Sequence, residues 1–218
     1  MAEVVQKDLF DREWTIPVER EYLDRGLRLI AGVDEVGRGA LAGPVVTAAV
    51  ILNPDDPIAG IRDSKQLSPS RREALDGEIR TRAIAWSIDL IGNDEVDRIN
   101  VLEATRVSMS RAIRGLSVIP ELVLTDAMEL DLLDIPLVSL IKGDARSNCV
   151  GAASIIAKVH RDRWMCRAAL TFPAYGFDRH KGYGTQRHLE IILRQGPCPL
   201  HRRSFKPLSG TSGNGRHQ

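Results

Sequence analysis

Residues 29–52 read LIAGVDEVGRGALAGPVVTAAVIL, and the fold turns on how that stretch divides. Leu29–Asp34 is a short apolar run and reads as a first strand. Pro44–Leu52 is nearly continuous, apolar and β-branched, the pattern of a strand buried on both faces. Val36–Gly43 lies between them with three glycines, which predicts a tight turn joining antiparallel neighbours.

Working outward, Ser68-Pro69 marks the start of a helix, with Ser as cap and Pro in the first turn, running to about Arg82. Ile84–Ile91 reads as a third strand. Asn93 stands where a cap belongs for a helix reaching about Arg114. Glu121–Thr125 and Pro136–Ile141 read as two further short strands. A long helix is expected from Ala145 to about Leu170, and a last one over about Thr185–Gln195. Three antiparallel strands, then helices alternating with two more, make a mixed α/β domain with a helical, basic C-terminal element. Residues 1–28 are polar and charged and read as a loose arm or short helix. The stretch from Ser209 is low in complexity and reads as disordered.

Composition narrows the function. Of 218 residues, 43% are apolar and 27% charged, which excludes a disordered or fibrous chain. The longest uncharged run, Gly39–Pro54, is broken by Gly43, Pro44 and Thr47 and is too short to span a bilayer. No apolar leader is visible after Met1, so a soluble, cytoplasmic protein is expected. Cys149, Cys166 and Cys198 form no Cys-x-x-Cys pair, and Cys198 with His201 supplies only two ligands, so neither a disulfide framework nor a zinc site is expected. Residues 1–141 hold 16 basic against 25 acidic side chains; residues 142–218 hold 14 against 4, together with all five histidines. An acidic centre beside a basic surface suits a metal-dependent enzyme acting on nucleic acid, although two mutually neutralising faces account for it equally.

Four acidic positions follow predicted strands: Asp34 and Glu35 after the first, Asp126 after the fourth, Asp144 after the fifth. If strands one, four and five are neighbours, these side chains converge where open α/β sheets gather their ligands. Clustered carboxylates repel unless a cation neutralises them, and oxygen ligands without His or Cys favour Mg²⁺ or Mn²⁺. Taken singly, each is better read as a capping or loop-solvating residue than as a ligand, and Asp144, just before Ser147 and Asn148, suits the start of a helix. Gly37-Arg38-Gly39 follows the first pair after one residue, Val36, where backbone amides and a guanidinium can meet a phosphate.

The segment Gly32-Val-Asp-Glu-Val-Gly-Arg-Gly39 resembles the signature of type 2 ribonuclease H, the ribonuclease HII of bacteria. The resemblance continues through Asp63-Ser-Lys-Gln-Leu-Ser68, Lys142-Gly-Asp144, Ala152-Ala-Ser-Ile-Ile-Ala-Lys158, Arg161-Asp162, His180-Lys-Gly-Tyr183 and His201-Arg-Arg-Ser-Phe205, in the expected order from about Leu29 to Pro207. It implies a ribonuclease H-like mixed five-stranded sheet flanked by helices over residues 29–170, with a substrate-binding helical element over residues 171–208. It also implies that Asp34, Glu35, Asp126 and Asp144 hold two divalent ions, Mg²⁺ or Mn²⁺, and act as the catalytic carboxylates. Gly37, Arg38 and Gly39 would read the ribonucleotide's 2′-hydroxyl and the adjacent phosphates, and Tyr183 would stack on a neighbouring sugar. Two positions depart from the family pattern: Ala127 stands where glycine is usual, and His160 where threonine is common.

Without the resemblance, Tyr183 in its Gly-flanked loop is as well read as packing that loop. Lys65, Lys158, Arg161, Lys181, Arg202 and Arg203 are candidates for phosphate contact, Lys65 and Lys181 foremost because they sit within the matched motifs. Asp162 reads as a helix ion-pair partner rather than a ligand. The expected substrates are RNA–DNA hybrids and duplex DNA carrying single ribonucleotides, cut 5′ of the ribonucleotide to leave 3′-hydroxyl and 5′-phosphate ends, in ribonucleotide removal and RNA primer degradation. A monomer acting without a membrane is expected. A two-metal nuclease for DNA alone and a non-catalytic binding module are the competing readings.

Overall fold

A computed structural model describes residues 17–61, 67–130 and 134–209. Its five strands are β1 (Ile30–Val36), β2 (Val45–Ile51), β3 (Ala85–Ile91), β4 (Leu122–Asp126) and β5 (Leu137–Leu140), in the order β3-β2-β1-β4-β5. β1, β2 and β3 pair antiparallel, while β4 and β5 add in parallel on the other side of β1. All seven residues of β2 are buried, as its nearly continuous apolar pattern requires of an interior strand.

The two faces of β2 sort by alternation. Val46, Ala48 and Val50 pack with Leu75 and Ile79 of α2 (Pro69–Arg82) and with Ala152, Ile155 and Ile156 of α6 (Asn148–Thr171). Ala49 and Ile51 face the other way, onto Met109, Ala112 and Ile113 of α4 (Val101–Arg114). Gly32 sets the contact between β1 and α6: a Cβ there would lie 2.0 Å from the Cys149 carbonyl carbon and 2.2 Å from Val150 N. The helix backbone rests directly on the strand, and only glycine permits it.

The remaining helices are α1 (Glu19–Asp24), α3 (Asn93–Ile99), α5 (Gly143–Arg146), α7 (Phe177–His180) and α8 (Gln186–Gln195). Of the expected arm, the described part is a short helix docked on the domain. Val18, Tyr22, Leu23 and Leu27 pack on Ile30, Leu122 and Leu140, and Glu19 accepts the Asn148 N–H at 2.7 Å.

Three expectations are corrected. The helix expected over Asn93–Arg114 is two helices, because Asn100 adopts φ +67° and its side chain accepts the N–H groups of Leu102 and Glu103, capping α4. The helix expected from Ala145 starts at Asn148, because Ser147 is extended and its hydroxyl accepts from Val150 N. The expected tight turn after β1 is a wide loop held by two buried guanidiniums. Arg161 donates to the carbonyls of Ala42, Pro44 and Lys181, and Arg202 to those of Arg38 and Gly43. The pairing of Ala42 with His201 ties the C-terminal segment to the same loop. Among the described residues no helix is long and apolar enough to cross a membrane. Cys149 and Cys198 are buried free thiols and Cys166 is exposed.

Candidate active site

β1 and β4 run parallel in a register that pairs Val33 with Thr125, so Asp34 and Asp126 follow side by side. Asp34 and Glu35 lie within β1, not beyond it as the sequence suggested, since the strand runs to Val36. Asp34 shares the α6 face with Gly32, two residues earlier and roughly 6.6 Å along the strand. From Val150, beside Gly32, four helical residues advance roughly 6 Å and deliver Ser154 to Asp34. The Ser154 side chain hydrogen-bonds the Asp34 carboxylate, which also accepts the Glu35 N–H at 2.8 Å.

Asp34, Glu35 and Asp126 line one cavity of about 370 Å³ with Val36, Arg72, Ser154, Ile155 and Lys158. Burial first, then the charge of Glu35, raises the Asp34 pKa well above the ordinary aspartate value; Asp126 adds to it, while Ser154 and the Glu35 N–H oppose it. Glu35 is raised too, by burial and by Asp126, against the Arg38 guanidinium that bonds its Oε1 at 3.1 Å. Its other oxygen, Oε2, is buried and has no hydrogen-bond partner among the described residues.

Such an oxygen, beside two carboxylates whose charges repel its own, has the chemistry of a ligand to a hard cation. The donor set therefore fits Mg²⁺ or Mn²⁺. As they stand, no three His, Cys, Asp or Glu side chains among the described residues are close enough to form a ready metal cage.

Asp144 is buried in α5 and is not among the residues lining the cavity. It adjoins through Gly143, whose N–H donates to Asp126 Oδ1 at 2.9 Å. Ala127, the residue departing from the family pattern, has φ +49°, and its N–H reaches Leu140 O at 2.9 Å. The left-handed backbone costs an L-residue about 1–2 kcal/mol, and Ala127 is exposed, so its methyl packs on little. Ala127→Gly, discounted for the freer unfolded chain, is expected to stabilise by about 0.5–1 kcal/mol, read as a rise in thermal midpoint. A fall would mean that the methyl supports the Asp126 turn.

Within Gly37-Arg38-Gly39 the two glycines have different reasons. Gly37 has φ +93°, and a Cβ on it would strike Arg161 Nε at 2.2 Å, so the fold itself demands glycine. Around Gly39 nothing lies within 4 Å of an added Cβ, so packing does not require glycine there. Tyr183 is half-buried, its ring 5.2 Å from the Arg161 guanidinium carbon. Lys181 lines a neighbouring groove of about 460 Å³, which shares Arg72 with the cavity. Lys65 lies outside the described residues.

Arg161 and Arg202, counted from sequence among the phosphate candidates, are fully buried and committed to loop carbonyls. Asp162 pairs with Lys158 at 2.8 Å, as its helical spacing suggested. Sequence reasoning missed Arg72 and the role of Ser154. Ser154 stands four residues before Lys158 on one helix face, which was the available signal.

The family model described as Ribonuclease HII matches residues 31–208. A relative named Ribonuclease HII 1 from Methylibium petroleiphilum is 55% identical over 84% of this chain and 92% of its own length. Ribonuclease HII of Idiomarina loihiensis is 47% identical over 85% and 100%. Among solved structures, ribonuclease H2 from Pyrococcus horikoshii is 26% identical with a TM-score of 0.72, covering 83% of this chain and 95% of that one. Ribonuclease HII of Archaeoglobus fulgidus, solved with PCNA, is 27% identical with a TM-score of 0.68, covering 80% and 92%. The matched span takes in β1 with its carboxylate pair, the whole sheet and the C-terminal segment that clasps the loop, and this chain belongs to the ribonuclease HII family.

Proposed function

We propose that this chain is an endonuclease that hydrolyses the phosphodiester 5′ of a ribonucleotide, both in RNA–DNA hybrids and at single ribonucleotides embedded in duplex DNA. The hydrolysis of RNA in RNA–DNA hybrids is the family's activity. The cut leaves 3′-hydroxyl and 5′-phosphate ends and serves ribonucleotide removal and primer degradation in the cytoplasm. The observation that carries the reading is the convergence of Asp34, Glu35 and Asp126 on one cavity, with a buried Glu35 oxygen that has no hydrogen-bond partner among the described residues.

Asp34, Glu35 and Asp126, with Asp144 adjoining, would hold two divalent ions. Bound there, such ions supply Lewis-acid stabilisation of the attacking and leaving oxygens. The protein's own residues do the positioning. Asp126 is steadied by the Gly143 N–H and Asp34 by Ser154, which keeps the carboxylates aimed before substrate arrives. Arg72 and Lys158 at the cavity wall offset the charge of an entering phosphate. The open backbone at Gly39 and the exposed Arg38 meet the ribose 2′-hydroxyl and its phosphates, the group that separates RNA from DNA at one position. The cavity lining includes no histidine, so proton transfer is assigned to water and the substrate phosphate.

Residues 171–208 act in this scheme as the substrate-binding element, with Tyr183 stacked on a sugar. Tyr183→Ala is expected to lower kcat/KM on a single-ribonucleotide duplex by about 10-fold, and less on a long hybrid. An equal loss on both would return Tyr183 to loop packing.

The deciding experiment uses two end-labelled duplexes, identical except that one carries a single ribonucleotide, with a long RNA–DNA hybrid alongside and Mg²⁺ or Mn²⁺ added. One nick 5′ of the ribonucleotide, abolished by a chelator, with the all-DNA duplex intact, is the expected result. Cutting of both duplexes would point to a general DNA nuclease. Cutting of no substrate, with chelator-insensitive hybrid binding, would point to a binding module.

A further inference from the structure

Outside the carboxylate cavity, a group of histidines without a role in that scheme lies beneath the Tyr183 loop. His188 on α8 and His201 beyond it are shut off from solvent, at 0% and 1% exposure. Their Nε2 atoms face each other at 3.1 Å. The Nδ1 of His188 lies 2.9 Å from the carbonyl oxygen of Tyr183. The Nδ1 of His201 accepts the backbone N–H of Cys198 at 2.9 Å. His180 stacks on His188 with ring centroids 4.2 Å apart.

These partners dictate where the protons sit. A backbone N–H can only donate, so His201 Nδ1 is bare and its proton is on Nε2. That proton points at His188 Nε2, which must also be bare, leaving the His188 proton on Nδ1. A carbonyl can only accept, and the His188 Nδ1–H ends on Tyr183 O. The result is a one-way chain: Cys198 N–H, His201, His188, Tyr183 C=O. The second lone pair of the same carbonyl takes the Thr185 N–H at 2.8 Å, so the oxygen is held from two sides.

We propose that His188 and His201 are positioning residues for Tyr183: the relay fixes the Tyr183 carbonyl and with it the angle at which the ring meets the substrate sugar. The proposal rests on the stacking role given to Tyr183 above. Arg161 braces the loop from the other side, donating to Lys181 O at 2.9 Å. A proton added to His188 would set two N–H groups against each other across 3.1 Å, and one added to His201 would set its Nδ1–H against the Cys198 N–H at 2.9 Å. Burial holds both histidines down to about 4; the charge of His180 acts the same way on each, and that of Arg203 on His201. The Cys198 thiol, 3.2 Å from His201 Nδ1, is pushed up by burial and stays neutral. At neutral pH the chain is therefore uncharged and complete.

The test begins with the full chain carrying isotope-labelled histidine. A proton–nitrogen correlation spectrum at neutral pH should show His188 with its proton on Nδ1, the rarer tautomer, and His201 with its proton on Nε2. The opposite tautomer at His188, or a doubly protonated ring, would overturn the relay. His188→Asn keeps an N–H donor where Nδ1 stands, whereas His188→Gln moves it out to the place of Nε2. On a single-ribonucleotide duplex, His188→Gln should lower kcat/KM by about 10-fold, mostly through KM, and His188→Asn by no more than about 2-fold. In a Tyr183→Ala background His188→Gln should add nothing. Equal losses in the two variants, or a loss that persists in that background, would count against the proposal. If Tyr183→Ala alone is silent, the stacking role is refuted, and the tautomer spectrum alone decides the relay.

Discussion

Asp126→Asn is expected to abolish cleavage, by a factor on the order of 10³ or more, while leaving the fold and duplex binding intact. The side chain accepts the Gly143 N–H through Oδ1, and asparagine retains an oxygen for that bond, so the turn after β4 keeps its shape. What the substitution removes is one negative charge from a group in which Asp126 helps to raise both Asp34 and Glu35. Less repulsion means that the metal-free variant should unfold at the same temperature or slightly higher. In the proposed scheme a bound cation would, by contrast, lose an anionic ligand on which both its binding and its Lewis acidity would depend. The nicking assay read beside a thermal melt separates the two effects. Retained turnover would remove Asp126 from the catalytic centre; lost turnover with a lowered melt would make it structural.

Arg161→Ala is the substitution expected to cost most stability, about 3–5 kcal/mol, or a fall of roughly 10 °C in thermal midpoint. The guanidinium is fully buried and donates to three carbonyls, those of Ala42, Pro44 and Lys181. Each left without a donor costs about 1–3 kcal/mol, moderated where water enters the space vacated. Arg161→Lys should recover only part, since an ammonium cannot span three acceptors in the plane of the fork. Denaturant unfolding of both variants checks this. A loss below about 1 kcal/mol for alanine would mean that the loop is held chiefly by Arg202 and the Ala42–His201 pairing.

The sheet was legible because its evidence is local. The nearly continuous apolar, β-branched run of β2 and the strand lengths predicted the five strands to within a residue or two at each end. The two helix interruptions were less so. Asn100 lies inside an apolar helical rhythm, and only its left-handed backbone reveals that it caps a new helix. Ser147 is a good cap residue, but Ala145 and Arg146 before it are good helix formers and masked the boundary. Convergence of Asp34, Glu35 and Asp126 followed from strand order. Asp144 was less legible: it is buried in the short helix α5, next to Gly143, whose N–H donates to Asp126. Arg161 and Arg202 were least readable of all. Arginine is ordinarily a surface residue, and apart from Lys181 their partners are backbone carbonyls more than 110 residues away.

That separation has a consequence for how the protein is made. A nascent chain emerges N-terminus first and its early segments can condense as they appear. β1, β2 and the carboxylate pair exist long before Arg161, and longer still before Arg202. Until those two side chains arrive, the carbonyls at Arg38, Ala42, Gly43 and Pro44 have only water to bond. The loop beside the carboxylates is thus among the last parts to take its final form, and a chain interrupted during translation carries the acidic cluster without the frame that shapes the loop beside it.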